Sequence, residues 1–181
     1  DIDGEAAGDY SGHRRGVSLS SDGSVVAIGA LSNDGNGTDS GHTRIYQWDS
    51  ASSSWNQLGS DIDGEAAGDY SGISASLSSD GSVVAIGAHN NGSNSSKSGH
   101  TRIYQWDSAS SSWNQLGSDI DGEAAGDRSG ISVSLSGDGS VVAIGAYLND
   151  GNGTDSGHTR IYQWDSASSS WNQLGSDIDG E

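Results

Sequence analysis

The chain repeats its own text. DIDGEAAGD begins at Asp1, Asp61 and Asp119, and 58-residue copies run from Asp61 to Ser118 and from Asp119 to Ser176. A copy two residues longer fills Asp1 to Ser60, and a fourth starts at Asp177 and reaches Glu181. Self-similarity at a fixed period fixes the architecture before any local reading. Each copy must form the same supersecondary unit, and each unit must bury its apolar faces against its neighbours. The organisation is therefore read as units 1–60, 61–118 and 119–176, with 177–181 opening a fourth. The absence of Met and the brief fourth copy predict a segment of a longer tandem array.

The third copy shows what one unit is. Asp119 to Gly130, rich in Gly, Ala and Asp, reads as a connection. Ile131 to Ser136 alternates aliphatic residues with Ser, the period of a strand with one apolar face. Asp138-Gly139 follows, and an Asp-Gly pair between apolar runs signals a hairpin. Val141 to Ala146 (VVAIGA) is apolar throughout, as a strand covered on both faces must be. After a polar, Gly-rich loop from Leu148 to Gly157, Thr159 to Trp164 predicts a third strand. Asp165 to Ser170 turns the chain, and Trp171 to Leu174 forms a short fourth strand. No helical periodicity interrupts this order. A period of this length is too long for a solenoid turn and suits four hairpin-linked strands. The expectation is an all-β chain of β-propeller-type four-stranded antiparallel blades in tandem, three blades in this segment.

Composition alone would place the chain near disorder, with 31% hydrophobic residues and a net charge of −18. The apolar residues, however, fall in short runs at the same places in every copy, and six Trp with six Tyr supply the bulk for burial. Seven Lys+Arg against 25 Asp+Glu exclude a basic surface for nucleic acid. With no cysteine there is no disulfide framework, and no apolar run approaches membrane-spanning length, so no membrane span is expected. Acidity of this degree suits a soluble, extracellular chain.

The copies differ in two main places. His13-Arg14-Arg15-Gly16-Val17 stands where the second copy has Ile73-Ser74-Ala75, and the loops Leu31–Asp39, His89–Lys97 and Tyr147–Asp155 are rewritten. Fixed strands with changing loops are the mark of a scaffold that displays a surface. The loops carry the sequons Asn36, Asn91, Asn94 and Asn152, retained even where the second copy replaces most of the text, which points to N-linked glycans. The plainer reading is Asn-Gly turns. Asp1, Asp3, Glu5 and Asp9, with Asp61, Asp63, Glu65, Asp69 and Asp119, Asp121, Glu123, Asp127, space carboxylates as calcium loops do, so Ca2+ is the candidate ion. Against it, Gly is fourth where an EF-hand-like loop needs it sixth, and a solvated acidic linker whose Asp side chains bond backbone amides explains the same text. His42, His100 and His158 recur without a motif that brings partners to them and read as structural. Arg44, Arg102 and Arg160 are expected to pair with nearby carboxylates or stack on Trp. His13-Arg14-Arg15 is the one basic cluster, a contact with another chain or a solvated loop. No nucleophile elbow or catalytic constellation appears, so the chain is not expected to be an enzyme.

Ser129-Gly130-Ile-Ser-Val-Ser134, Ser140 to Ala146 and Gly157 to Tyr162 together resemble the FG-GAP repeat of integrin-α-like β-propellers, and the likeness covers all three copies. Ser-Gly stands for the family's Phe-Gly, and Gly-Ala is followed by Leu31, His89 or Tyr147 rather than Pro. Where the family carries its calcium loop, this chain has only the tight turn Ser21 to Ser24 and its copies. The resemblance implies the fold and an extracellular setting. Three blades do not close a ring, which needs about four to eight. Two chains completing a six-bladed ring, a continuing array, or a head-to-tail filament would each satisfy the ends, so the expected partner is the chain's own kind. The expected function is a glycosylated building block of an extracellular fibre, appendage or surface coat. The alternative is an adhesion module binding carbohydrate or protein, with calcium.

Overall fold

The computed structural model describes all 181 residues, and every regular element in it is a strand. The first sheet holds β1 (Val17–Leu19), β2 (Val25–Ala30), β3 (His42–Asp49), β4 (Ser54–Gln57) and β5 (Ile62–Asp63). The second holds β6 (Ser74–Leu77), β7 (Val83–Ala88), β8 (His100–Asp107), β9 (Ser112–Gln115) and β10 (Ile120–Asp121). The third repeats the plan with β11 (Ser132–Leu135), β12 (Val141–Ala146), β13 (His158–Asp165), β14 (Ser170–Gln173) and β15 (Ile178–Asp179). All pairings between strands are antiparallel, in the order β1-β2-β3-β4, and the expected propeller blades are present in tandem. No helix is long and apolar enough to cross a membrane.

The connection expected at the start of each copy is only partly a connection. Ile62 and Asp63 pair with Thr43 and His42, extending the outer edge of the blade before them, and Ile120 and Asp121 do the same for the second sheet. The cause is Ile62 and Ile120 themselves, each buried in the layer between its own blade and the next. The sheets therefore run three residues into the following copy of the text.

The hairpin between the first two strands closes on itself. Asp22 accepts hydrogen bonds from the Ser24 amide and from the Ser20 and Ser24 hydroxyls, at 2.7–3.0 Å. These bonds, that of the Ser24 amide first, hold the Asp22 carboxyl at about 2. Gly23 supplies the left-handed φ of +71° that the turn needs.

Two apolar layers join three blades. Val25, Ala27, Ile45 and Ile62 of the first blade meet Ala75, Leu77, Val84, Ile86 and Tyr104 of the second. Val83, Ala85, Ile103 and Ile120 of the second meet Val142, Ile144 and Tyr162 of the third. Each fully buried aliphatic contributes roughly 1.5–3 kcal/mol, against about 1 kcal/mol for a neutral hydrogen bond, so these layers dominate the cohesion. The outer blades each lack one such layer. Val17 and Leu19 are 49% and 58% exposed where their counterparts Ala75 and Leu77 are 7% exposed. The burial of β12 alternates where that of β7 is continuous.

Sheets can approach this closely because backbone meets backbone. A Cβ on Gly29 would lie 2.0 Å from the Gly72 carbonyl oxygen, and one on Gly87 would lie 1.9 Å from that of Gly130. The Ser-Gly dipeptide of one blade thus sits on the Gly-Ala strand end of the blade before it. The Ser71 amide donates to Ser40 O at 2.9 Å and the Ser129 amide to Ser98 O at 2.8 Å. At the outer rim, the Trp113 and Trp171 indoles donate to the carbonyls of Leu58 and Leu116, both at 2.8 Å. The Arg102 guanidinium reaches back to Asp63 O at 2.6 Å.

Gly145 occupies the same place in the last blade, where a Cβ would meet only the movable Ser132 hydroxyl. Gly87→Ala is therefore expected to destabilise the chain by about 2 kcal/mol or more, lowering the thermal midpoint by roughly 4–8 °C. Gly145→Ala should cost a small fraction of that, and side-by-side melting curves of the two variants check the joint.

Candidate functional site

Several positions at which the copies disagree converge on one place. A cavity of about 360 Å³ lies where the inner ends of the three blades face one another. Leu31, His89 and Tyr147, each directly after the Gly-Ala strand end, contribute one wall apiece. Ile73 and Ile131 contribute from the second and third blades, with Tyr70 beside them, and the first blade sends in the insertion His13-Arg14-Arg15. A second cavity of about 670 Å³ shares Arg14, Arg15, Ile131 and Tyr147 and extends over Gly145, Gly157 and Thr159 of the last blade. On the first two blades the corresponding surface is covered by the next Ser-Gly.

The insertion is held by its backbone and free at its side chains. Arg15 forms a parallel bridge with Ser74 and its carbonyl accepts the Ala75 amide at 3.0 Å. Arg14 is in the left-handed region, with φ +49°. Both guanidinium groups are exposed, and the arginines that form ion pairs are Arg44, Arg102 and Arg160 instead. Tyr70 is also left-handed at φ +56°, an uncommon state for a bulky residue. Its ring lies 5.9 Å from that of His89. Arg128, replacing that tyrosine in the third copy, bonds Asn90 Oδ1 beside His89. Burial first, and Arg128 second, lower His89 to about 4, so the imidazole is neutral near pH 7. Nδ1 of His13 and of His89 is buried without a hydrogen-bond partner. Two unpaired cations, the neutral His89 imidazole and aromatic rings around one cavity suit an anionic ligand that also has hydroxyls or a flat apolar face.

The carboxylate quartets proposed for calcium do not stay together. Asp9, Asp69 and Asp127 are buried, each accepting the amide three residues before it at 3.0 Å and the side-chain amide of Asn33, Asn91 or Asn149. Asp1 and Asp3 are exposed at the start of the chain. Asp63 and Asp121 lie at the sheet edge, where burial and then the charge of Asp61 or Asp119 push their carboxyls up. The remaining acids meet the histidines. Glu5 and Asp61 flank His42, Glu65 and Asp119 flank His100, and Glu123 and Asp177 flank His158. The partners that sequence reasoning found missing thus come from the linker before the blade and from the strand end after it. Arg44, Arg102 and Arg160 approach the same glutamates, and their cation–π contacts are with Tyr46, Tyr104 and Tyr162, not with Trp.

Asn36, Asn94 and Asn152 are equivalent, exposed, and donate to the carbonyls of Gly64, Gly122 and Gly180. Asn91 differs. Only 1% exposed, with its amide on Asp69, it offers no attachment point in the folded chain.

Residues 120–162 match the FG-GAP repeat family, and the first two copies carry nearly the same text. No curated protein matches the chain. Among solved structures it is similar to the Pseudomonas aeruginosa periplasmic gluconolactonase, at 14% identity and a TM-score of 0.58 over 91% of this chain and 44% of that one. A candidate 6-phosphogluconolactonase of Bacteroides fragilis aligns at 12% identity with a TM-score of 0.59, over 90% of this chain and 38% of the other. Saccharomyces cerevisiae Sqt1 aligns at 14% identity and 0.52, over 90% and 35%. The chain thus spans about two fifths of the length of these structures, and the likeness establishes the fold.

The depressed His89 gives a pH dependence of fixed sign. Folding favours its neutral form, so that stability is fully present above about 6.5 and is lost as pH falls toward about 4. His89→Leu, which borrows the residue of the first copy, removes this dependence. The variant is expected to gain on the parent by several degrees in thermal midpoint between pH 6.5 and 4, as measured by scanning calorimetry in matched buffers.

Proposed function

We propose that this chain, whose third copy is an FG-GAP repeat and whose other copies share its text, is the ligand-binding arc of an extracellular adhesion propeller. Its ligand is an acidic carbohydrate. One observation carries the reading: Leu31, His89 and Tyr147 and the insertion His13-Arg14-Arg15, where the copies differ, line one cavity together with the shared Ile73 and Ile131. Relaxed divergence would scatter changes over all exposed positions. The exposed turn Ser50 to Ser54 is nevertheless identical in all three copies, while Leu31, His89 and Tyr147 are three different residues in one place. A scaffold kept constant around a varied cavity supports recognition as the selected property. Arg14 and Arg15 supply charge for a carboxylate or sulfate, and the Tyr70, Tyr147 and His89 rings supply flat faces for sugar stacking.

A second reading, the building block of a fibre or surface coat, rests on the end blades. Val17 and Leu19 at one end and Ile178 at the other are apolar and exposed, and they correspond to residues buried at the internal joints. Such faces suit further blades of the same kind, in a ring or in a thread. Negative-stain images separate the two arrangements, discs for the first reading and continuous filaments for the second.

Isothermal titration with sulfated or uronic-acid oligosaccharides tests the favoured reading. Arg14→Ala with Arg15→Ala is expected to weaken binding by at least about tenfold and to flatten its salt dependence. Affinity unchanged in the double variant would overturn it. For a secreted chain, glycopeptide mass spectrometry should find glycan on Asn94 and Asn152, and none on Asn91.

A further inference from the structure

We propose that each blade holds a divalent transition cation, with zinc the best fit, between one buried imidazole and two carboxylates. The ligand sets are Glu5, His42 and Asp61; Glu65, His100 and Asp119; and Glu123, His158 and Asp177. The sites are separate from the central cavity and do not depend on the carbohydrate reading.

The distances favour a shared ion over direct contacts. From the imidazole Nδ1 to the facing carboxylate oxygens they are 3.6–3.8 Å in all three blades. That is beyond a hydrogen bond of about 2.7–3.2 Å. It lies just outside the roughly 3.3–3.6 Å that separates two ligands of one tetrahedral ion bound at about 2.0–2.2 Å. The three ligand atoms of each set already lie within 4.8 Å of one another. The carboxylates are the partly exposed members, so they can close the remaining distance.

The imidazole itself points to a ligand. The His100 and His158 side chains are 1% exposed and neither ring nitrogen has a hydrogen-bond partner, but of the two only Nδ1 is directed at two carboxylates. A buried polar atom without a partner costs about 1–3 kcal/mol, which a cation at Nδ1 would remove. The second oxygen of each carboxylate is already occupied. Gln57, Gln115 and Gln173 donate to Asp61, Asp119 and Asp177 at 2.6 Å. Arg44, Arg102 and Arg160 stand 3.6–3.9 Å from the outer oxygen of Glu5, Glu65 and Glu123. Outer partners of this kind orient ligands from behind and leave one oxygen facing the metal, and in the first blade that oxygen of Glu5 also accepts from the Asn33 side-chain amide at 3.3 Å. An imidazole ligand favours zinc, nickel or copper over calcium, and the exposed side leaves a position for water. The ion would also tie the linker carrying Glu65 to the strand end carrying Asp119.

The test is equilibrium dialysis of tag-free, chelator-stripped chain against zinc and, separately, calcium, with bound metal counted by plasma mass spectrometry. Three zinc ions per chain are expected at about 10 µM free metal, with a rise in thermal midpoint. Glu65→Gln and Asp119→Asn should each remove one ion while leaving the strand circular-dichroism spectrum intact. Nitrogen NMR of the imidazoles provides a reading that needs no variant, since zinc must shift Nδ1 of His42, His100 and His158. Fewer than one zinc per chain, undiminished zinc in both variants, unshifted imidazoles, or displacement of zinc by calcium at about 1 mM would each overturn the proposal.

Discussion

The Ser-Gly carbonyl lying on the Gly-Ala strand end is the contact on which the rest depends. With Gly29 and Gly87 lacking a side chain, two sheets approach until backbone touches backbone at their inner ends. Only at that separation do Val25, Ala27 and Ile45 reach Ala75, Leu77 and Ile86, and only then does the Trp113 indole reach Leu58 O at the outer rim. One methyl group at the inner joint would open the whole wedge. The continuous burial of β7, against the alternation in β12, records what a flanking blade on that face contributes.

A joint of this kind divides the sequence into two sorts of residue. Most text that meets another blade is held fixed from copy to copy, because any change must suit two partners at once, with Ala75 and Val133 an exception. Text at the inner loop ends meets the neighbouring blade through its backbone, as Arg15 does at Ser74 and Ala75, and its side chains can differ. Thus Tyr10 and Tyr70 become Arg128 in the third copy, and an insertion in the first copy brings a pair of arginines into a chain of net charge −18. The cavity is the common boundary of the residues that the joint does not constrain.

Much of this was legible beforehand, for physical reasons. VVAIGA is apolar on both faces since both faces are covered, and the alternation of Ser with aliphatics in β6 and β11 marks strands with one face toward a neighbouring blade. Two things were hidden. The edge strands β5, β10 and β15 are two residues long, too short for any periodicity, and only the burial of Ile62 and Ile120 reveals them. The partners of the histidines were hidden by distance along the chain, since Glu65, His100 and Asp119 lie in two different copies and meet only when a blade closes. The carboxylates that looked like one calcium loop are anchored at their two ends to different structures. Asp61 and Asp63 belong with the outgoing edge, while Asp69 is buried beneath the incoming loop.

The two sides of the joint are written in the same repeat, the projecting Ser-Gly near its start and the receiving Gly-Ala near its middle. An in-frame gain or loss of one whole repeat during copying of the gene would therefore leave every remaining joint intact. The array can lengthen or shorten by single blades with no new interface to invent, so its angular span is open to genetic drift while its local geometry is not.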